Sequence, residues 1–121
     1  MKSTELSELV VEALDDVKGQ SIRCINVERL TSITDYMVIV TGTSSTHLKA
    51  LAESVSKSVK DAGQEVVGVE GKLAADWVLV DLGNVVVHLM LAPVRALYNL
   101  EELWNFESKP QDRAEPEDPA A

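Results

Sequence analysis

The residues of this chain that could do chemistry are two histidines, one cysteine, and serines and aspartates near predicted strand ends. A serine hydrolase would combine Ser44 or Ser45 with His88 and Asp81, because such enzymes need a nucleophile, a base and a carboxylate that orients the base. The G-x-S-x-G turn that exposes the nucleophile in many hydrolases is missing, although Gly42-Thr-Ser is a partial match. We therefore interpret Asp81 and His88 as a structural pair more readily than as a catalytic one.

Metal chemistry has little support in the sequence. A structural zinc site takes four nitrogen or sulfur ligands, and His47, His88 and Cys24 are too few. A Gly-Thr-Ser segment that opens a helix, followed by carboxylates on later strands, loosely resembles nucleotidyltransferases. Two-metal catalysis needs carboxylates that converge on ions about 4 Å apart, whereas the odd spacing of Asp76 and Asp81 places them on opposite faces of a strand. We predict no enzyme activity, no cofactor and no metal, with a divergent nucleotidyltransferase as the alternative.

The chain is acidic and of a length that suits one domain. It has 121 residues and a net charge of −9, from 11 Lys and Arg against 20 Asp and Glu. Nucleic-acid affinity depends on Lys and Arg that neutralise phosphates, so we expect no direct nucleic-acid binding, and a basic protein partner suits the charge better. The sequence shows no leader peptide and no apolar run near the ~20 residues of a membrane span. We expect a cytoplasmic protein without membrane contact.

Apolar periodicity predicts three helices and five strands. A stripe from Leu6 to Val17 predicts a first helix capped by Ser3 or Thr4, and a second stripe predicts a helix from Ser44 or Ser45 to Gly63. Pro93 suits the first turn of a last helix, which carries Leu97, Leu100 and Trp104. The predicted strands are Ile22–Val27, with Cys24 as a small buried hydrophobe, Tyr36–Val40, Glu65–Val69, Trp77–Leu82 and Val85–Leu91.

This order of elements predicts an α/β or α+β fold. A strand–helix–strand unit followed by a hairpin implies a mixed sheet of about five strands with helices packed on it, and it leaves the strand order open. We assign residues 1–106 to the folded domain. Residues 107–121 are acidic and rich in proline, and we expect them to form a disordered tail.

The last two strands form a predicted hairpin across Gly83–Asn84, and a two-residue loop fixes its register. One face is then entirely aliphatic and must be core; it carries Val78, Val80, Leu82, Val85, Val87 and Leu89. On the opposite face Trp77 lies across from Met90, Leu79 from His88, and Asp81 from Val86, with Asp81 and His88 as diagonal neighbours. Tryptophan and methionine are enriched at interface centres, while charged groups are seldom fully buried. We predict that this mixed face touches the last helix, a second copy of the chain or another protein.

An ordered set of motifs resembles the ribosome silencing factor family, also called Iojap-like, over about residues 6–104. The set comprises Asp35-Tyr-Met-Val-Ile-Val-Thr-Gly-Thr-Ser-Ser-Thr-His47, Glu70-Gly71, Trp77-Val-Leu-Val-Asp81, Val86-Val-His88 and Arg95-x-x-Tyr98-x-Leu100-Glu101-x-Leu103-Trp104. No single motif is decisive, but the order is specific.

The resemblance implies a function and a fold. Family members bind the large ribosomal subunit through ribosomal protein fourteen, block joining of the small subunit and repress translation when nutrients run short. They have no known enzyme activity, and their fold is similar to nucleotidyltransferases without the catalytic carboxylates. Organellar relatives take part in large-subunit assembly, so a role in biogenesis is the alternative function.

We predict that the mixed hairpin face is the docking surface for the ribosomal protein. Its predicted residues are Glu70, Asp76, Trp77, Leu79, Asp81, His88 and Met90. The three carboxylates would meet basic residues of the partner. A homodimer of the free protein through the same face stays open at this point.

Overall fold

A computed structural model describes residues 1–71 and 76–98 of the chain. Its elements, in chain order, are α1 (Ser3–Asp16), β1 (Gln20–Asn26), β2 (Tyr36–Gly42), α2 (Ser45–Asp61), β3 (Gly68–Glu70), β4 (Trp77–Asp81), β5 (Val85–Leu91) and α3 (Ala92–Tyr98). This is the predicted α+β order of helices and strands. The predictions for Leu100 and Trp104, the domain boundary at residue 106 and the tail from residue 107 lie outside the described residues.

The five strands form one mixed sheet in the order β1-β2-β5-β4-β3, which the sequence left open. The pair of β2 and β5 is parallel, and the other neighbouring pairs are antiparallel. The hairpin strand β5 therefore lies in the centre of the sheet, between β2 and β4. This position explains why its sequence is apolar apart from His88, because a central strand is covered on both faces.

The helices α1 and α2 pack on one face of the sheet and form the main core with it. Their apolar stripes supply Leu6, Val10, Ala13, Leu14, Leu48, Leu51, Ala52, Val55 and Val59, and the sheet supplies Val38, Val40, Val78, Val80, Leu82, Val85, Val87 and Leu89. The six predicted aliphatic hairpin residues are all in this core, which confirms that face of the hairpin as core.

The starts of the two long helices differ in how they are capped. Ser44 caps α2 as predicted, since its side chain accepts a hydrogen bond from the backbone N–H of His47 at 3.1 Å. The prediction that Ser3 or Thr4 caps α1 is wrong, because Lys2 is the capping residue and Glu5 accepts its backbone N–H. Ser3 and Thr4 instead hydrogen-bond Asp35 and the Tyr36 hydroxyl, which ties the start of α1 to β2.

A second, smaller core lies on the other face of the sheet. It contains Ile25, Val27, Met37, Ile39 and Met90, and Leu30, Trp77 and Val94 pack against it. The segment between β1 and β2 and the helix α3 thus cover part of this face. Leu97 lies on this helix as predicted, and the residue is 76% exposed.

The structure corrects two further predictions about the strands. Cys24 is exposed instead of buried, because β1 is an edge strand. Desolvation nevertheless raises the pKa of the Cys24 thiol, against an opposing hydrogen bond with Ser7, so the thiol is protonated at neutral pH. β3 begins at Gly68, three residues later than predicted, because Gln64 still hydrogen-bonds the end of α2 through Val59.

Within residues 1–71 and 76–98, no helix is long and apolar enough to cross a membrane.

Candidate functional site

The β4–β5 hairpin has the register that its two-residue loop predicts. Trp77 pairs with Met90, Leu79 with His88, and Asp81 with Val86. Gly83 adopts a φ of +87°, which glycine tolerates without strain, and the Leu82 N–H bonds the Val85 carbonyl to close the loop. The mixed face therefore lies on the side of the sheet away from α1 and α2.

Trp77 and His88 form a side-chain pair across the hairpin. The indole Nε1–H of Trp77 donates to Nδ1 of His88 at 3.1 Å, and the ring centroids lie 5.9 Å apart with the planes tilted by 52°. Because Nδ1 accepts, the neutral ring carries its proton on Nε2. The indole also packs against the smaller core, so one side chain joins that core to the surface.

The environment of His88 keeps its ring neutral at physiological pH. Desolvation lowers the pKa of His88 to about 4 from an ordinary value of 6.5. A neutral imidazole fits the hydrogen bond it receives, because a protonated Nδ1 has no lone pair to accept the indole N–H. The histidine therefore serves as a fixed acceptor beneath the tryptophan.

Asp81 has a different partner from the one its diagonal position suggested. Its Oδ1 accepts the backbone N–H of Gly83 at 2.8 Å, which closes the hairpin loop from the side. His88 bonds Trp77 instead of Asp81, so the Asp81–His88 pairing predicted from the sequence is wrong. Gly83 lies two residues from Asp81 along the chain, and a local backbone donor is reached at a smaller entropic cost than a cross-strand ring.

Four of the predicted docking residues line one surface pocket of about 260 Å³. Its walls are Glu70, Gly71, Trp77, Leu79 and His88. Glu70 reaches it from β3, where it pairs with Leu79, and the other side chains come from the hairpin. The carboxylate, the indole and the aliphatic side chain thus meet at one place on a rigid sheet.

The remaining predicted residues lie around or beneath this pocket. Asp76 is exposed just before β4, and its carbonyl accepts the Leu91 N–H at 3.0 Å. Asp81 is half-buried at the loop end of the same strand. Met90 is fully buried in the smaller core, where Trp77 packs, so its side chain supports the surface from beneath.

The residues considered for catalysis have structural partners in the described part of the chain. Ser44 caps α2, and His47 accepts the Thr43 N–H at Nδ1 (2.9 Å) and bonds the Val17 carbonyl through Nε2 (2.7 Å). In the described residues no group of three or more His, Cys, Asp or Glu side chains is placed to hold a metal ion.

Sequence reasoning missed the Trp77–His88 bond and the contribution of Gly71 to the pocket. The register placed both Trp77 and Asp81 diagonally next to His88 and gave no preference between them. The feature that could have distinguished them is the backbone N–H of Gly83, two residues beyond Asp81. It donates a hydrogen bond to the Asp81 carboxylate, which leaves Trp77 as the partner of His88.

Comparison with known proteins places the chain in a family. The model of the family described as "Ribosomal silencing factor during starvation" matches residues 1–121. The ribosomal silencing factor of Chromobacterium violaceum is 47% identical over 104 residues, which cover 86% of this chain and 85% of that one. A mouse protein named for mitochondrial assembly of the ribosomal large subunit is 38% identical over 104 residues, 84% of this chain and 46% of the mouse protein.

A solved structure agrees with the sequence comparisons. The crystal structure of a Chromobacterium violaceum protein superposes with a TM-score of 0.84 at 47% identity, covering 87% of this chain and 88% of that one. Fold, family model and pairwise identity lead to the same assignment: the chain belongs to the ribosomal silencing factor family.

Proposed function

We propose that this protein binds the large ribosomal subunit through ribosomal protein fourteen and blocks association with the small subunit, which represses translation when nutrients are limited. The observation that carries the proposal is the pocket in which Glu70, Trp77, Leu79 and His88 meet. Membership of the family supports a ribosomal partner, and the resemblance of the motifs supports ribosomal protein fourteen as that partner. We place this function in the cytoplasm, where the protein would meet free large subunits.

The chemistry of the pocket suits a protein partner that carries basic and apolar side chains. Tryptophan in a partly buried pocket is a frequent hot spot of protein interfaces, and its face attracts cations. Glu70 on the wall and Asp76 nearby add negative charge. A net charge of −9 steers the protein towards a basic partner and away from bare phosphate.

Rigidity of the surface supports a steric mechanism. Trp77 is fixed by its bond to His88 and by the smaller core, so little side-chain entropy is lost when a partner covers it. A domain bound at the joining surface excludes the second subunit without turnover. No catalytic step is therefore part of the proposal.

A role in large-subunit assembly is the second candidate. The mouse relative is named for assembly of the mitochondrial large subunit. The same pocket would serve both roles, since each requires binding to the large subunit before the small subunit joins.

The test compares two matched pairs of variants in pull-down of large subunits. Leu79→Lys and Glu70→Lys alter the pocket, whereas Val69→Lys and Glu53→Lys make the same changes on β3 and α2. Val69 pairs with Val80 of the main core, so its side chain lies on the helix-covered side of the sheet. We expect the pocket variants to weaken binding at least about tenfold and the controls to bind normally. Equal binding by all four folded variants would refute the docking surface.

Two measurements separate the remaining alternatives. Sedimentation of cell extract should place the protein with free large subunits, while a protein found only with assembly precursors supports the biogenesis role. Light scattering at two concentrations tests whether the free protein dimerises through the same face. A dimer that Leu79→Lys dissociates and Val69→Lys does not would assign the pocket to self-association.

A further inference from the structure

A groove lies between β1 and α1, at the β1 edge of the sheet, which is the edge opposite β3. It has a volume of about 360 Å³ and is lined by Ser7, Glu8, Val11, Glu12, Asp15, Ile22 and Cys24. In the described part of the chain β1 pairs with β2 alone, so its outer side is an open edge. This edge lies across the sheet from β3, the other edge strand, which contributes Glu70 to the proposed docking pocket.

The register of β1 identifies the backbone groups at this open edge. The Val27 N–H donates to the Asp35 carbonyl, and the aligned pairs continue with Ile25 opposite Met37. In an antiparallel pair the hydrogen-bonded residues alternate along each strand. Cys24 and Asn26 consequently direct their backbone N–H and C=O groups outward. An added strand would find these groups beside the groove.

The walls of the groove are acidic, and this arrangement does not help α1 to fold. Glu8, Glu12 and Asp15 follow one another at intervals of four and three residues, a spacing at which like charges repel. Asp15 also lies at the negative end of the helix dipole, and the last turn of α1 holds no basic residue. Val11 and Ile22 add an apolar part to the same lining, which has no Lys or Arg.

We propose that this groove binds an extended, basic peptide segment of a partner protein, which adds to the sheet as a strand beside β1. Backbone bonds to Cys24 and Asn26 would align the segment, as in other cases of strand addition. Its alternate basic side chains would lie on the α1 side of the sheet, with their charges near Glu8, Glu12 and Asp15 and their aliphatic stems against Val11 and Ile22. The side chains between them would point to the other side of the sheet. Residues 107–121 of the chain itself hold five acids and two bases. Their net negative charge would be repelled by the acidic groove, so this segment is a poor candidate for the bound strand.

The test measures binding of a fluorescent decapeptide with alternating lysine and valine to the full-length protein. We expect the peptide to bind and its affinity to decrease as salt is added. A peptide with glutamate in place of lysine should not bind, and the variant Glu8→Lys/Glu12→Lys should bind the lysine peptide about tenfold more weakly. The double variant Glu53→Lys/Glu65→Lys is the matched control, because it makes the same charge change at exposed residues outside the groove. It should bind the peptide within about threefold of the unmodified protein.

Strand addition has its own readout. Two peptides, one with N-methyl groups on the odd residues and one with them on the even residues, should differ in affinity. Only one of these two sets of amides faces β1, and methylation of that set removes the hydrogen bonds to the strand. Amide hydrogen exchange of Cys24 and Asn26 should slow when the peptide binds.

Three results would overturn the proposal. They are no binding up to about 1 mM peptide, equal binding by both N-methylated peptides, and an effect of the control variant as large as that of the groove variant. None of these measurements involves ribosomes, so failure here leaves the proposed silencing function untouched.

Discussion

The indole N–H of Trp77 donates a hydrogen bond to Nδ1 of His88 across the β4–β5 hairpin, and both residues line the proposed docking pocket beside the smaller core. The bond requires a neutral imidazole. Any condition that protonates His88 therefore acts on the tryptophan as well. The pair connects the stability of the fold with the shape of the surface.

The first prediction concerns pH. The pKa of His88 is about 4 in the folded state and near 6.5 when unfolded, so the unfolded chain takes up the proton first as pH falls. The stabilisation by His88 is complete above about pH 6.5 and decreases as pH falls to about 4, by at most about 3 kcal/mol. Urea unfolding at pH 7.5 and 5.0 should show a smaller loss in His88→Gln, which does not titrate. An identical loss in both proteins contradicts the assignment.

The second prediction separates the indole N–H from the indole ring. Trp77→Phe keeps most of the apolar packing and removes the donor, so we expect a loss of about 1 kcal/mol in the free energy of unfolding. Trp77→Ala also removes contacts with the smaller core and should cost about 3 kcal/mol or more. Denaturant unfolding of both variants checks the order. Equal losses would mean that the hydrogen bond, and not the packing, dominates at this position.

The hairpin is the part of the fold that its local sequence determines most fully. A two-residue loop with glycine at a positive φ allows one register, and alternation then assigns each side chain to a face. The strand order was not predictable in this way, since the parallel pairing of β2 with β5 joins residues about fifty positions apart. Such pairing depends on the packing of the whole sheet.

The sequence predicted which residues form the candidate site better than it predicted the contacts between them. The mixed face was expected to hold Trp77, Leu79 and His88, and these residues line one pocket. The partner of His88 was not predictable from register, because Trp77 and Asp81 are both its diagonal neighbours. The exposure of Cys24 was not predicted, because the sequence of a strand does not indicate whether the strand lies at an edge of the sheet.

The third prediction distinguishes the charge of Asp81 from its role in the loop. Asp81→Ala removes the acceptor of the Gly83 N–H and should lower the free energy of unfolding by about 1 kcal/mol. Asp81→Asn retains a side-chain oxygen and should be nearly as stable as the unmodified protein. Binding of large subunits by Asp81→Asn then reports on the negative charge alone. A large loss of stability in Asp81→Asn would show that the loop needs the carboxylate itself.

The fourth prediction concerns His47, which joins the two long helices. Its Nδ1 accepts the Thr43 N–H at the start of α2, and its Nε2 bonds the Val17 carbonyl at the end of α1. His47→Ala leaves both backbone groups without these partners, and we expect a loss of about 2 kcal/mol in the free energy of unfolding. Lys49→Ala, at an exposed position two residues further along α2, should change it by less than about 0.5 kcal/mol. Amide exchange should accelerate at Thr43 in His47→Ala, because that N–H loses its acceptor. If stability and exchange are unchanged in His47→Ala, the contact between the helix ends contributes nothing to the fold.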